Sequence, residues 1–90
     1  MSRPYININS MSYATASSVL TMNYTVYKLR GGNSMVLSGF TNNITFNELL
    51  SNEPSLTLTF SVSPTQSTGT YNFSILSSPL GAYDNYTLTF

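Results

Sequence analysis

Ninety residues suffice for one domain, 1–90, and a chain of this size buries only about 60–65% of the surface its unfolded form exposes. Charged residues make up 7% and balance to zero: Arg3, Lys28, Arg30, Glu48, Glu53 and Asp84. Three cations are too few for phosphate-tracking nucleic-acid binding, which commonly uses roughly 6–10, or for a polybasic membrane patch, and the lack of Cys and His excludes disulfide staples, thiolate metal sites and imidazole bases.

Taken in chain order, Ile6 and Ile8 alternate with Tyr5, Asn7 and Asn9, and this period of two predicts a strand over 4–9. Residues 1–10 read as an N-terminal arm or edge strand; with Pro4 and no long apolar run they do not form a signal peptide. Ser10 to Ser18 is rich in small residues and is a candidate for a further strand. Leu20, Met22, Tyr24 and Val26 alternate with Thr21, Asn23 and Thr25, which predicts a strand over 19–29. Arg30-Gly31-Gly32-Asn33 offers residues that accept positive φ, so it reads as a tight hairpin into a weaker strand over 34–41.

The next segment departs from the alternation. Thr45-Phe46-Asn47-Glu48 has the form of a capping box, with Ile44 and Leu49 spaced as a hydrophobic staple. Pro54 disfavours helix at Glu53. A short helical turn is therefore predicted over 46–51. The strand signal then returns at its clearest: Leu56, Leu58, Phe60 and Val62 alternate with Ser55, Thr57, Thr59 and Ser61, predicting a strand over 55–62. A Pro-containing loop, 63–69, leads to a strand over 70–76. A second such loop, 77–81, leads to the last strand, 84–90. Six to seven short antiparallel strands with one short helical turn predict an all-β, two-sheet sandwich of the immunoglobulin-like type, with a small barrel as the competing architecture.

The residues left for chemistry point away from catalysis, so no enzyme, cofactor or metal site is expected. Ser and Thr lack an activating base, and there is no G-x-S-x-G or phosphate-binding Gly loop. Glu48 and Glu53 could pair as glycosidase carboxylates do, but Glu48 is better explained as a cap and Glu53 as a solvated loop residue. Asp84, Glu53 and Asn side chains lack the spacing of a calcium loop. Four N-x-[ST] triplets, at Asn23, Asn43, Asn72 and Asn85, look like glycan acceptors. However, ten Asn in a chain where Ser and Thr fill 27 of 90 positions make about three such matches expected by chance.

The surface points towards association. Ser, Thr and Asn account for 37 of the 90 residues, and a neutral coat of hydroxyls and amides does not repel its own kind. Edge strands are normally blunted by charge or Pro, and here few charges are available. The last strand ends in Phe90, which predicts cover by another chain or by the N-terminal segment. The candidate contact residues are Tyr5, Tyr13, Tyr27 and Tyr83, predicted off the core faces, together with Phe90 and with Ile6 and Ile8 of the N-terminal segment. Expected partners are other protein subunits, including copies of this chain, with carbohydrate an alternative through Tyr stacking and Asn hydrogen bonds; no nucleic acid or membrane partner is expected.

In composition and inferred fold the whole chain resembles small accessory proteins of virus and phage particles, namely capsid decoration proteins and tail-associated immunoglobulin-like modules. That resemblance carries no site residue with it. It implies a structural virion subunit, made in a host cytoplasm and bound to a repeated protein lattice, where many weak contacts add. The lack of Cys agrees with a reducing compartment. The competing expectations are a carbohydrate-binding or adhesin-type module at the cell surface or outside the cell, and a pilus or surface-layer subunit joined by strand addition.

Overall fold

The computed structural model describes residues 5–27, 34–47, 55–78 and 81–90. Within them lie seven strands and no helix: β1 (Tyr5–Ala14), β2 (Val19–Tyr27), β3 (Ser34–Ser38), β4 (Ile44–Asn47), β5 (Leu56–Ser61), β6 (Thr70–Ser78) and β7 (Tyr83–Thr89). They form two antiparallel sheets, β1-β2-β5 and β4-β3-β6-β7, packed as the expected two-sheet sandwich.

Alternation decides which residues meet between the sheets. Leu20, Met22 and Tyr24 on β2, Met35 and Leu37 on β3, and Phe73 and Ile75 on β6 are essentially buried. These strands are central in their sheets, so neighbours flank them on both sides. The inward residues Leu58 and Phe60 of the edge strand β5 pack against this core but are only half-buried. At one end the filling is aromatic. Phe40 meets Tyr71 and Phe73 edge-on at 5.0 and 4.9 Å between centroids, and Phe90 stacks on Tyr71 at 5.4 Å.

The first strand is longer than its early alternation predicts, and a bulge explains why. The β1–β2 register slips between Ile8 and Ser10, leaving Asn9 without a partner. Before the slip the even positions Ile6 and Ile8 face the core; after it the odd positions Met11 and Tyr13 do. One extra residue thus inverts the phase. Residues 10–14 continue β1 instead of forming a strand of their own. The chain then turns through 15–18, with Ser18 in the left-handed region at φ 57°. Val62 N–H donates to the Ser18 carbonyl (2.9 Å) and holds this turn.

Two local expectations give way to tertiary structure. Residues 44–47 are strand, not the start of a helix: Ile44, Thr45, Phe46 and Asn47 pair with Leu37, Val36, Met35 and Ser34. A cap is worth only about 0.5–2 kcal/mol. The strand instead gains a run of ladder pairs and places Phe46 against Tyr24 and Phe60, at 6.5 and 5.3 Å between centroids. The remainder of the predicted helix, 48–51, lies outside the described residues, as do Arg30 to Asn33. The hairpin predicted there does not join paired strands, because β2 and β3 belong to different sheets. Both sides of β2 are already taken, by β1 and β5.

Candidate functional site

The sequence-predicted contact residues do not gather in one place. Tyr5, Tyr27 and Tyr83 are exposed, at 47%, 38% and 56%. Ile6 and Ile8 lie in the core, and so does Tyr13, which alternation had placed outside. The Asn9 bulge is what turns Tyr13 inward. There its ring packs on Phe40 and Phe90, and its hydroxyl accepts from the Gln66 N–H at 3.1 Å. Tyr13 is thus a tether for the 63–69 loop. Phe90 is half-buried in the same aromatic cluster, and its backbone exchanges two hydrogen bonds with Gly69 (3.1 and 3.2 Å).

Each sheet presents an outer face of distinct character. On β1-β2-β5, the side chains between the inward ones are Asn, Thr and Ser, and they are tied together. Asn7 Nδ2 donates to Asn9 Oδ1 (2.7 Å); Asn9 Nδ2 donates to Asn23 Oδ1 and Thr25 Oγ1 (both 2.8 Å). Asn23 Nδ2 in turn donates to Thr57 Oγ1 (2.8 Å), and the Ser55 hydroxyl donates to Asn23 Oδ1 (3.2 Å). The extra residue of the bulge places Asn9 where it links β1 to β2. At the end of this face Tyr5 and Tyr27 are cross-strand partners with stacked rings, 5.3 Å between centroids and 25° between planes.

The outer face of β4-β3-β6-β7 carries apolar side chains in a row. Val36 is opposite Leu76, and Leu76 is opposite Tyr83. Leu76 is 43% exposed. The next positions along the strands are polar: Ser38, Ser74 and Asn85. Beside Tyr83 lies an open cleft of about 390 Å³ lined by Asn72, Ser74, Asn85 and Thr87. Thr87 Oγ1 donates to Asn72 Oδ1 at 3.1 Å across it.

The sheet edges also differ. β1 and β7 are the edges that face each other on one side of the sandwich. There Asp84, half-buried on β7, accepts the Ile8 N–H at 2.6 Å. A carboxylate turned inward onto an edge amide occupies a position that another strand would need. On the other side β4 and β5 are unpaired with each other, and neither strand holds a charged residue. A cleft of about 260 Å³ opens there between Asn42, Asn43 and Ile44 on one wall and Ser61, Val62 and Gln66 on the other.

Among the described residues, no three His, Cys, Asp or Glu side chains come together as a metal site would need. Asp84 is the sole carboxylate side chain among them, and it holds the β1 edge.

No family model, curated protein or solved structure matches this chain. The reading of its faces therefore rests on their own geometry. Sequence reasoning passed over Val36, Leu76 and the Asn9–Asn23 link. Leu76 had a signal: it shares the parity of Asn72 and Ser74, opposite to that of Phe73 and Ile75, so the alternation already put it outside. The Asn link had none, because it depends on the bulge.

Proposed function

We propose that this chain is a non-enzymatic assembly subunit. It lays the outer face of its β4-β3-β6-β7 sheet against a neighbouring protein subunit, in a repeated lattice of the kind that builds a virion. The row Val36–Leu76–Tyr83 carries this reading. Three apolar side chains in register on a surface otherwise made of Ser, Thr and Asn form the patch that protein contacts use, with Tyr as an anchor. The neutral surroundings favour close approach, since no like charges must be brought together. In a lattice, many such modest patches act together, so weak single contacts suffice. Production in a host cytoplasm and incorporation into the particle belong to the same proposal.

The test compares the wild-type chain with the double variant Leu76→Asp, Tyr83→Ser. Wild type is expected to sediment with particles from its native source at fixed copy number, or to self-associate on concentration. The variant is expected to remain free while keeping its circular dichroism spectrum, because exposed substitutions of this kind usually shift stability by no more than about 0.5 kcal/mol. A wild-type chain that stays monomeric and off the particles overturns the proposal, as does a variant that associates equally well.

A further inference from the structure

We propose that the opposite face, on β1-β2-β5, is a binding site for neutral carbohydrate. Tyr5 is its stacking platform, and the Asn7–Asn9–Asn23 relay with Thr25 and Thr57 is its hydrogen-bonding strip. This inference does not rest on the assembly reading, since it uses none of the residues on the other sheet.

The orientation of the strip carries the argument. The three amides point in sequence: Asn7 gives to Asn9, Asn9 gives to Asn23, and Asn23 gives to Thr57. Each amide therefore holds a set direction, and its donor and acceptor positions are already arranged before anything binds. Thr25 and Thr57 accept amide hydrogens through Oγ1 and so turn their own hydroxyl hydrogens to other acceptors. Both Asn9 amide hydrogens and both Asn23 Oδ1 lone pairs are used inside the strip, so a ligand meets the Asn7 amide, the Asn9 Oδ1, the second Asn23 amide hydrogen and the two Thr hydroxyl hydrogens, a mixture of donors and acceptors. A sugar hydroxyl, both donor and acceptor, matches such a strip; a carboxylate or phosphate, which only accepts, does not.

Charge supports the same choice. None of the described residues on this face is charged, so the strip itself offers an ionic partner no counter-charge. Burying a polar group is tolerable only where it finds a hydrogen-bond partner, and a polyhydroxylated ligand meets that condition at the positions the relay does not itself satisfy. The aromatic pair completes the match. β1 is the outer strand of its sheet, and the Tyr5 ring, stacked on Tyr27 on one side, is 47% exposed. A half-exposed ring at the end of a polar strip offers an apolar plane to the C–H face of a pyranose. Alternate residues lie about 6.8 Å apart along a strand, so two such steps, about 14 Å, separate the tyrosine row from the Asn23–Thr57 row, the reach of a short oligosaccharide.

The experiment is calorimetric titration of the intact chain with three named probes: cellohexaose, mannohexaose and the acidic hexagalacturonate. Saturable binding of at least one neutral hexasaccharide is expected, with hexagalacturonate binding markedly more weakly. Tyr5→Ala is expected to weaken that binding by about tenfold or more, from loss of the stacking ring. Tyr5→Phe, which keeps the ring, retains it and guards against a folding artefact. Tyr83→Ala, on the other face, leaves it unchanged, which separates this site from the assembly surface. The proposal is overturned if neither neutral probe binds, if the acidic probe binds as tightly, or if Tyr5→Ala binds like wild type.

Discussion

Replacing Asp84 by Ala removes the acceptor that closes the β1 edge, and the structure sets the size of the effect. The Ile8 N–H donates to Asp84 Oδ2 at 2.6 Å, between residues 76 positions apart in sequence and on different sheets. A hydrogen bond to a charged group is worth about 1.5–3 kcal/mol net. Asp84 is only half-buried, so water competes and the expected loss is about 1–2 kcal/mol. For a domain of this length each kcal/mol moves Tm by about 4–8 °C, giving a fall of roughly 4–16 °C in a thermal melt. Urea unfolding should report the same loss with an unchanged slope, since the surface exposed on unfolding stays the same. Asp84→Asn keeps an oxygen in place without its charge and should lose about half as much. The Ile8 amide should exchange its hydrogen faster in Asp84→Ala, and the unblocked edge should increase association at high concentration. If Asp84→Ala melts within the error of wild type, or if Asn and Ala behave alike, the hydrogen bond is not what holds the two sheets at this edge.

Three further outcomes are expected. A Cβ added at Gly39 would overlap the Phe73 ring, and Phe73 is 2% exposed with Phe40 packed edge-on against it; Gly39→Ala should therefore cost about 1–3 kcal/mol by denaturant unfolding. Tyr13→Phe keeps the aromatic packing but strands the Gln66 N–H, so stability should fall by about 1 kcal/mol, with proteolysis within 63–69 accelerated. Ser77 is fully buried, and its Oγ accepts the Ala82 N–H at 3.0 Å where β6 leads to β7. Ser77→Ala should cost about 1–3 kcal/mol, read in a thermal melt, because a buried donor loses its partner.

Much of the architecture was legible in the residues alone. Leu56-Thr57-Leu58-Thr59-Phe60 and Leu20-Thr21-Met22-Asn23-Tyr24 alternate without interruption, and a side-chain period of two is a property of the extended backbone itself. From such runs came the all-β class, the sandwich and most strand positions. The same parity placed Tyr5, Tyr27 and Tyr83 at the surface, where they are. It would also have placed Leu76 there had its phase been compared with that of Phe73.

Other features depended on partners that the chain meets only after folding. Nothing local distinguishes Asn9 as a bulge. It becomes one because Ile6 and Ile8 on one side, and Met11 and Tyr13 on the other, must all reach one core, and an extra residue is the way to bring both phases inward. Thr45 to Glu48 reads as a helix start, yet Phe46 is drawn into a strand by β3 beside it and by Tyr24 and Phe60 across the sandwich. Alternation determined which residues could be inside. The division of strands between sheets, the orientation of the Asn relay and the meeting of Asp84 with Ile8 were decided by the tertiary structure, because each joins groups that are distant along the chain and no local preference encodes a distant neighbour.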